Sequence, residues 1–99
     1  MNLKELLTAV KEQNLDKQQL EGYREALLDV FAKMQFEMAD LEKEEAIFMN
    51  GKADGESIAN RKVAWKATPK GQRLIELKRY ATASKPIMDS LKNRIYSFI

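Results

Sequence analysis

Residues 16–49 read DKQQLEGYREALLDVFAKMQFEMADLEKEEAIFM, and this stretch decides the fold. Within it Leu20, Tyr23, Leu27, Val30, Met34, Met38, Leu41 and Phe48 recur at roughly three- or four-residue spacing, and Phe31 widens the stripe. Apolar residues at that interval fall on one face of an α-helix. Asp16 with Gln19 three positions on supplies a start signal. Gly22 inside the pattern costs about 1 kcal/mol relative to Ala and is tolerated. Unbroken from Asp16 to Met49, such a helix spans ~50 Å. A compact chain of about 100 residues has a radius of gyration of only ~13 Å. The expectation is a helix that protrudes from any compact fold and needs an equally long partner or another subunit.

Upstream, Asn2 and Glu5 have the spacing of a capping box, and Leu3, Leu6, Leu7 and Val10 form one apolar stripe. A first helix ending near Gln13-Asn14 follows from this. Downstream, Asn50-Gly51-Lys52-Ala53-Asp54-Gly55 combines two glycines and two Asx residues, the composition of a chain reversal. Its first, fifth and sixth positions suit a calcium loop, but Lys52 occupies the third ligand position and Arg61 the twelfth. The segment therefore reads as a turn and not as a metal site.

Beyond the turn Ser57 caps a shorter helix through about Ala67. Thr68-Pro69 then restarts the chain, with Pro at the first helical position, where its missing N–H costs nothing. Leu74, Leu77, Ala81, Ser84, Met88, Leu91, Ile95 and Phe98 alternate spacings of three and four, which is a heptad seam. Leu74, Leu77, Ala81, Met88, Leu91, Ile95 and Phe98 are the expected seam between subunits. Pro86 is expected to kink or split this last helix. No stretch alternates with the period of a strand. The fold class is all-α: an elongated helical hairpin or coiled coil with a long central helix, self-associating. The chain is read as one helical domain, 1–99, with an acidic half (1–49), a turn (50–56) and a basic half (57–99).

Charge is the strongest functional signal. Residues 1–49 hold 6 Lys/Arg against 11 Asp/Glu, and residues 50–99 hold 11 against 4, so a net of −5 faces a net of +7. Blocks of one sign point to a polyanion, a partner of opposite charge, or the other half of the same protein. Arg61, Lys62, Lys66, Lys70 and Arg73 fall near i, i+4 spacing and can neutralise phosphates. Trp65 lies among them, and an aromatic ring between cations can stack on a base of a single strand. A lone Trp in a small helical protein is more often core. Val63, two residues away, cannot share its face. The basic stripe can equally pair with the acidic helix: an antiparallel hairpin about the turn brings Glu37–Glu45 near Arg61–Lys70.

The same composition excludes much chemistry. With no His and no Cys the chain lacks the commonest general base, the commonest metal ligand and the thiol nucleophile. Asp40, Glu42, Glu44 and Glu45 read as a solvated helix face, and no Gly-rich phosphate loop is present. The expectation is a protein that is not an enzyme and takes no cofactor. Met1-Asn2-Leu3-Lys4-Glu5 lacks the apolar core of a signal peptide, and the longest apolar run is Ala46-Ile47-Phe48-Met49, far short of the ~20 residues of a membrane span. No membrane partner and a cytoplasmic location are expected.

The order of parts resembles one family. An acidic-apolar helix, the Gly51 to Gly55 turn, a basic aromatic segment and a final helix with Asp89, Lys92 and Arg94 are similar to the UvsY-type recombination mediators of tailed phages. The resemblance covers roughly residues 20–98. It implies a small oligomeric helical protein that binds single-stranded DNA and helps load a recombinase. Where that family carries a Lys/Arg pair before the turn, this chain has Glu44-Glu45-Ala46-Ile47, so the resemblance assigns no binding residue here.

From charge alone, the nucleic-acid-binding candidates are Arg61, Lys62, Trp65, Lys66, Lys70 and Arg73. The leading expectation is a non-enzymatic, homo-oligomeric accessory protein that binds single-stranded nucleic acid, in phage recombination or replication. The alternatives are a small coiled-coil module that binds another protein, such as an inhibitor of a host or defence factor, and an oligomeric sponge for small anionic nucleotides.

Overall fold

The computed structural model describes residues 2–12 and 14–98, and among them the chain is all helix and turn. The helices are α1 (Leu3–Ala9), α2 (Lys17–Asn50), α3 (Ile58–Ala67) and α4 (Pro69–Tyr96). α2 is the unbroken helix expected, 34 residues long. Its start is a reciprocal box in which Gln19 N donates to Asp16 Oδ1 at 2.7 Å and Asp16 N donates to Gln19 Oε1 at 3.0 Å. Asn2 caps α1 by accepting from Glu5 N at 2.9 Å, and Ser57 caps α3 by accepting from Asn60 N at 3.0 Å. α1 stops at Ala9, with Val10 as its C-cap, earlier than the expected Gln13-Asn14. Gln13 lies outside the described residues.

The chain forms two compact units that cut across the acidic and basic halves. One falls within residues 1–34 and 80–99; the other is Gln35–Arg79. In the first, Leu6, Val10, Leu15, Leu20, Leu27 and Leu91 form the core, and Tyr23, Ile87, Met88 and Ile95 pack against it. Arg94 on α4 ties α1 down. Its guanidinium donates to the carbonyls of Val10 and Glu12, both at 2.7 Å, which satisfies acceptors just past the C-terminal end of that helix.

The second unit packs the last turns of α2, α3 and the first turns of α4 around Leu41, Trp65, Leu74 and Leu77. Its reversal needs one left-handed residue, Gly55 at φ 82. Glu56 closes the turn by accepting from Ala53 N at 3.0 Å and from the Lys52 ammonium at 2.6 Å.

Two features of α4 bear on what was expected of it. Pro86 does not split the helix, which runs on to Tyr96. The Pro86 ring is on the exposed side of α4, while the opposite side is anchored by buried Ala81, Ser84 and Leu91. Within the chain itself most of the heptad seam is covered. Leu74, Leu77, Ala81 and Leu91 are buried in the monomer, Met88 and Ile95 pack against its core, and of the seam residues only Phe98 is exposed. A stripe with that period buries against whichever helix reaches it first, and α2 is covalently tethered.

Candidate nucleic-acid interface

All six residues expected to hold nucleic acid lie in the second unit, on α3 and the first turns of α4. α3 turns Trp65 inward. Its side chain is 5 % exposed, and its ring lies 5.6 Å from that of Phe48 on α2 at a tilt of 50°. Trp65 is therefore a core residue and not a stacking platform for a base. Val63 points the other way and is 68 % exposed, as the helical period requires.

Arg61 is also committed to the fold. Its Nε donates to the Phe48 carbonyl at 2.8 Å, its guanidinium carbon sits 3.6 Å from the centroid of the Phe48 ring, and Glu56 lies 3.9 Å from its Nη1. One side chain thus satisfies an acceptor at the end of α2 and makes a cation–π contact.

The junction from α3 to α4 is tight. Thr68 Oγ1 donates to the Trp65 carbonyl at 2.6 Å and accepts from Gly71 N at 3.0 Å. A Cβ on Gly71 would lie 2.0 Å from that same carbonyl oxygen, so only glycine fits. Gln72 Nε2 donates to the Lys66 carbonyl across the junction. These contacts fix how the cations of α3 and α4 are presented.

On α4, Lys70 and Arg73 reach back to the acidic helix. The Lys70 ammonium is 2.9 Å from both carboxylate oxygens of Glu44. It hydrogen-bonds Oε1, while Oε2 is held by proximity alone. Arg73 donates from Nε and Nη2 to the two oxygens of Glu37, 3.0 Å each, and Nη1 reaches Glu76 at 3.2 Å. As α2 is followed back from Phe48 through Glu44 to Glu37, the partners advance from Arg61 and Trp65 to Lys70 and Arg73. This is the antiparallel hairpin that brings the acidic and basic stretches together.

The remaining two candidates differ. Lys62 and Lys66 are exposed, one turn apart on α3, and neither makes an ion pair among the described residues. Folding has also changed the charge picture. The Gln35–Arg79 unit holds nine Lys/Arg and eight Asp/Glu, a net of +1, so the excess of the basic half is met by acids of α2. Glu37 and Glu44 are the acids that the expected hairpin brings to the basic stretch, and Phe48, which holds Arg61, is the contributor that charge counting overlooked; its position across the turn from Arg61 was the available signal. Glu44 and Glu45 are half-buried, unlike exposed Asp40 and Glu42, so the four acids do not share one solvated face.

Among the described residues no group of three or more acidic side chains could hold a metal, and no helix is long and apolar enough to cross a membrane. Comparison with protein-family models, with curated proteins and with solved structures finds no match to this chain.

Proposed function

We propose that this chain is a non-enzymatic accessory protein that binds single-stranded nucleic acid through a small cationic face on α3. One observation carries the reading: Lys62 and Lys66 project from the same side of α3, exposed and unpaired, beside a rigid junction to α4. Lys70 can add to that face, since its side chain is 63 % exposed and that of its partner Glu44 is 42 % exposed. Such surface pairs contribute only about 0.2–1 kcal/mol, so a phosphate can compete for the ammonium. With a net of +1 on the unit, attraction is local and the footprint is two or three phosphates. The resemblance to UvsY-type mediators supplies a setting for this binding, recombination or replication of phage DNA in the cytoplasm.

The test is fluorescence anisotropy of a labelled single-stranded oligonucleotide with the parent chain and with Lys62→Glu/Lys66→Glu. The reading expects binding by the parent and its loss in the double variant, with the helical circular dichroism unchanged. Undiminished binding by the variant overturns it.

A second reading, a protein-interaction module, is favoured by a different observation. Phe36, Ile47, Ile58 and Val63 are between 61 % and 74 % exposed on the same near-neutral unit. Large apolar side chains left in water at that density often mark a surface that another protein covers. It predicts a stoichiometric complex indifferent to Lys62→Glu/Lys66→Glu.

A further inference from the structure

The outward side of α2 in the second unit carries a second, unused seam. Phe36, Asp40, Lys43 and Ile47 are spaced four, three and four residues apart, and all four are exposed. They are turned away from Leu41, which is buried in the unit. Phe36 is 74 % exposed and Ile47 71 %. Ala39 and Ala46, beside this line, are small enough to let another helix approach closely. Neither Asp40 nor Lys43 makes an ion pair among the described residues, although each is a charged residue on a helix otherwise rich in pairs.

We propose that this face docks the same face of a second copy, antiparallel, about a two-fold axis passing between residues 41 and 42. Spacings of four, three and four give alternating heptad positions, and antiparallel helices stack the two kinds in shared layers. The two-fold operation then sets Phe36 beside the Ile47 of the second copy, Asp40 beside its Lys43, Lys43 beside its Asp40, and Ile47 beside its Phe36. The contact is isologous and closes on itself. Charge selects this arrangement: a parallel pair in register sets Asp40 against Asp40 and Lys43 against Lys43, and repulsion rejects it.

The seam is short. About three turns of helix from each copy cover less than the ~1,200 Å² at which stable complexes begin, and two of the four layers are charged, so the dimer is weak and concentration-dependent. It uses none of the residues of the Lys62–Lys66 face, so it stands or falls independently of nucleic-acid binding. It also differs from the C-terminal heptad seam, most of whose side chains are covered inside the chain.

The experiment is sedimentation equilibrium of the whole chain from micromolar to millimolar concentration, with helical content followed in parallel. Five proteins are compared: the parent, Phe36→Ser, Asp40→Lys, Lys43→Asp, and the exchange Asp40→Lys/Lys43→Asp. The parent should reach a dimer. Phe36→Ser should weaken it at least about tenfold, as should each single charge change, which turns attractive layers into repulsive ones. The exchange should restore association, because the layers again carry opposite charge. A parent that stays monomeric throughout overturns the second copy as occupant. So does association that is blind to Phe36→Ser, or an exchange variant no better than the two single changes.

Discussion

Arg73 on α4 sets two guanidinium nitrogens against the two carboxylate oxygens of Glu37 on α2, each at 3.0 Å. This bidentate contact, with Lys70 on Glu44 one turn away along α4, turns a charge asymmetry along the chain into pairing across a hairpin. In the proposed function the cations left over, and not the whole basic half, carry the binding.

The Arg73–Glu37 pair is half-exposed, with each side chain 44 % accessible, so its worth is limited by solvent. In a double-mutant cycle of Arg73→Ala and Glu37→Ala, urea unfolding should give a coupling energy of about 0.5–1 kcal/mol, shrinking with added salt. Salt-independent coupling of several kcal/mol would contradict an exposed pair.

Two glycines should respond in opposite directions to the same change. Gly71→Ala places a Cβ 2.0 Å from the Trp65 carbonyl oxygen and should destabilise by about 3 kcal/mol or more, since backbone must move on both sides. Gly22→Ala meets nothing within 4 Å in the interior of α2 and should stabilise by about 0.5–1 kcal/mol. Thermal unfolding of the two variants beside the parent measures both.

Trp65 packs on Phe48 in the core, so its fluorescence should be blue-shifted and poorly quenched by acrylamide. Addition of an oligonucleotide should leave that emission unchanged even when anisotropy reports binding. Trp65→Ala should cost about 3–5 kcal/mol, and a loss of binding in that variant reflects unfolding.

Arg94 holds the end of α1 through two short hydrogen bonds to carbonyls. Charge-assisted bonds of this kind contribute about 1.5–3 kcal/mol each. Arg94→Ala should therefore raise amide hydrogen exchange in α1 at least about tenfold while leaving exchange in the Gln35–Arg79 unit unchanged. Arg94→Lys should recover little, because an ammonium lacks the fork that spans both acceptors.

The parts of the fold that follow from short-range rules were legible before any coordinates. Asp16 with Gln19, Ser57 with Asn60, and Thr68 before Pro69 begin helices where their hydroxyl, amide and carboxylate groups place caps. The three-or-four stripe of α2 and the heptads of α4 were read correctly as apolar faces. The hairpin of the two was read as well; how much of each stripe it covers was not, because a stripe records that a face is apolar and is silent on how far one covering helix reaches. Of the two outcomes expected at Pro86, a kink or a split, the continuous helix from Pro69 to Tyr96 excludes the split. At the candidate site, Trp65 could not be placed from neighbouring cations alone, since its environment is made by Phe48 from across the turn. Lys62 and Lys66 were legible as cations, but their freedom depends on which acids α2 brings close.

The most direct test of the account is the salt dependence of single-stranded oligonucleotide binding, read as the slope of log affinity against log salt concentration. Each phosphate contact to a single strand contributes about −0.7 to that slope. Contacts from Lys62 and Lys66, with Lys70 joining, predict a slope between about −1.4 and −2. A slope near −3.5, the value for five free cations, would contradict the internal pairing of Arg61 and Arg73, and absence of binding at low salt would contradict the nucleic-acid reading itself.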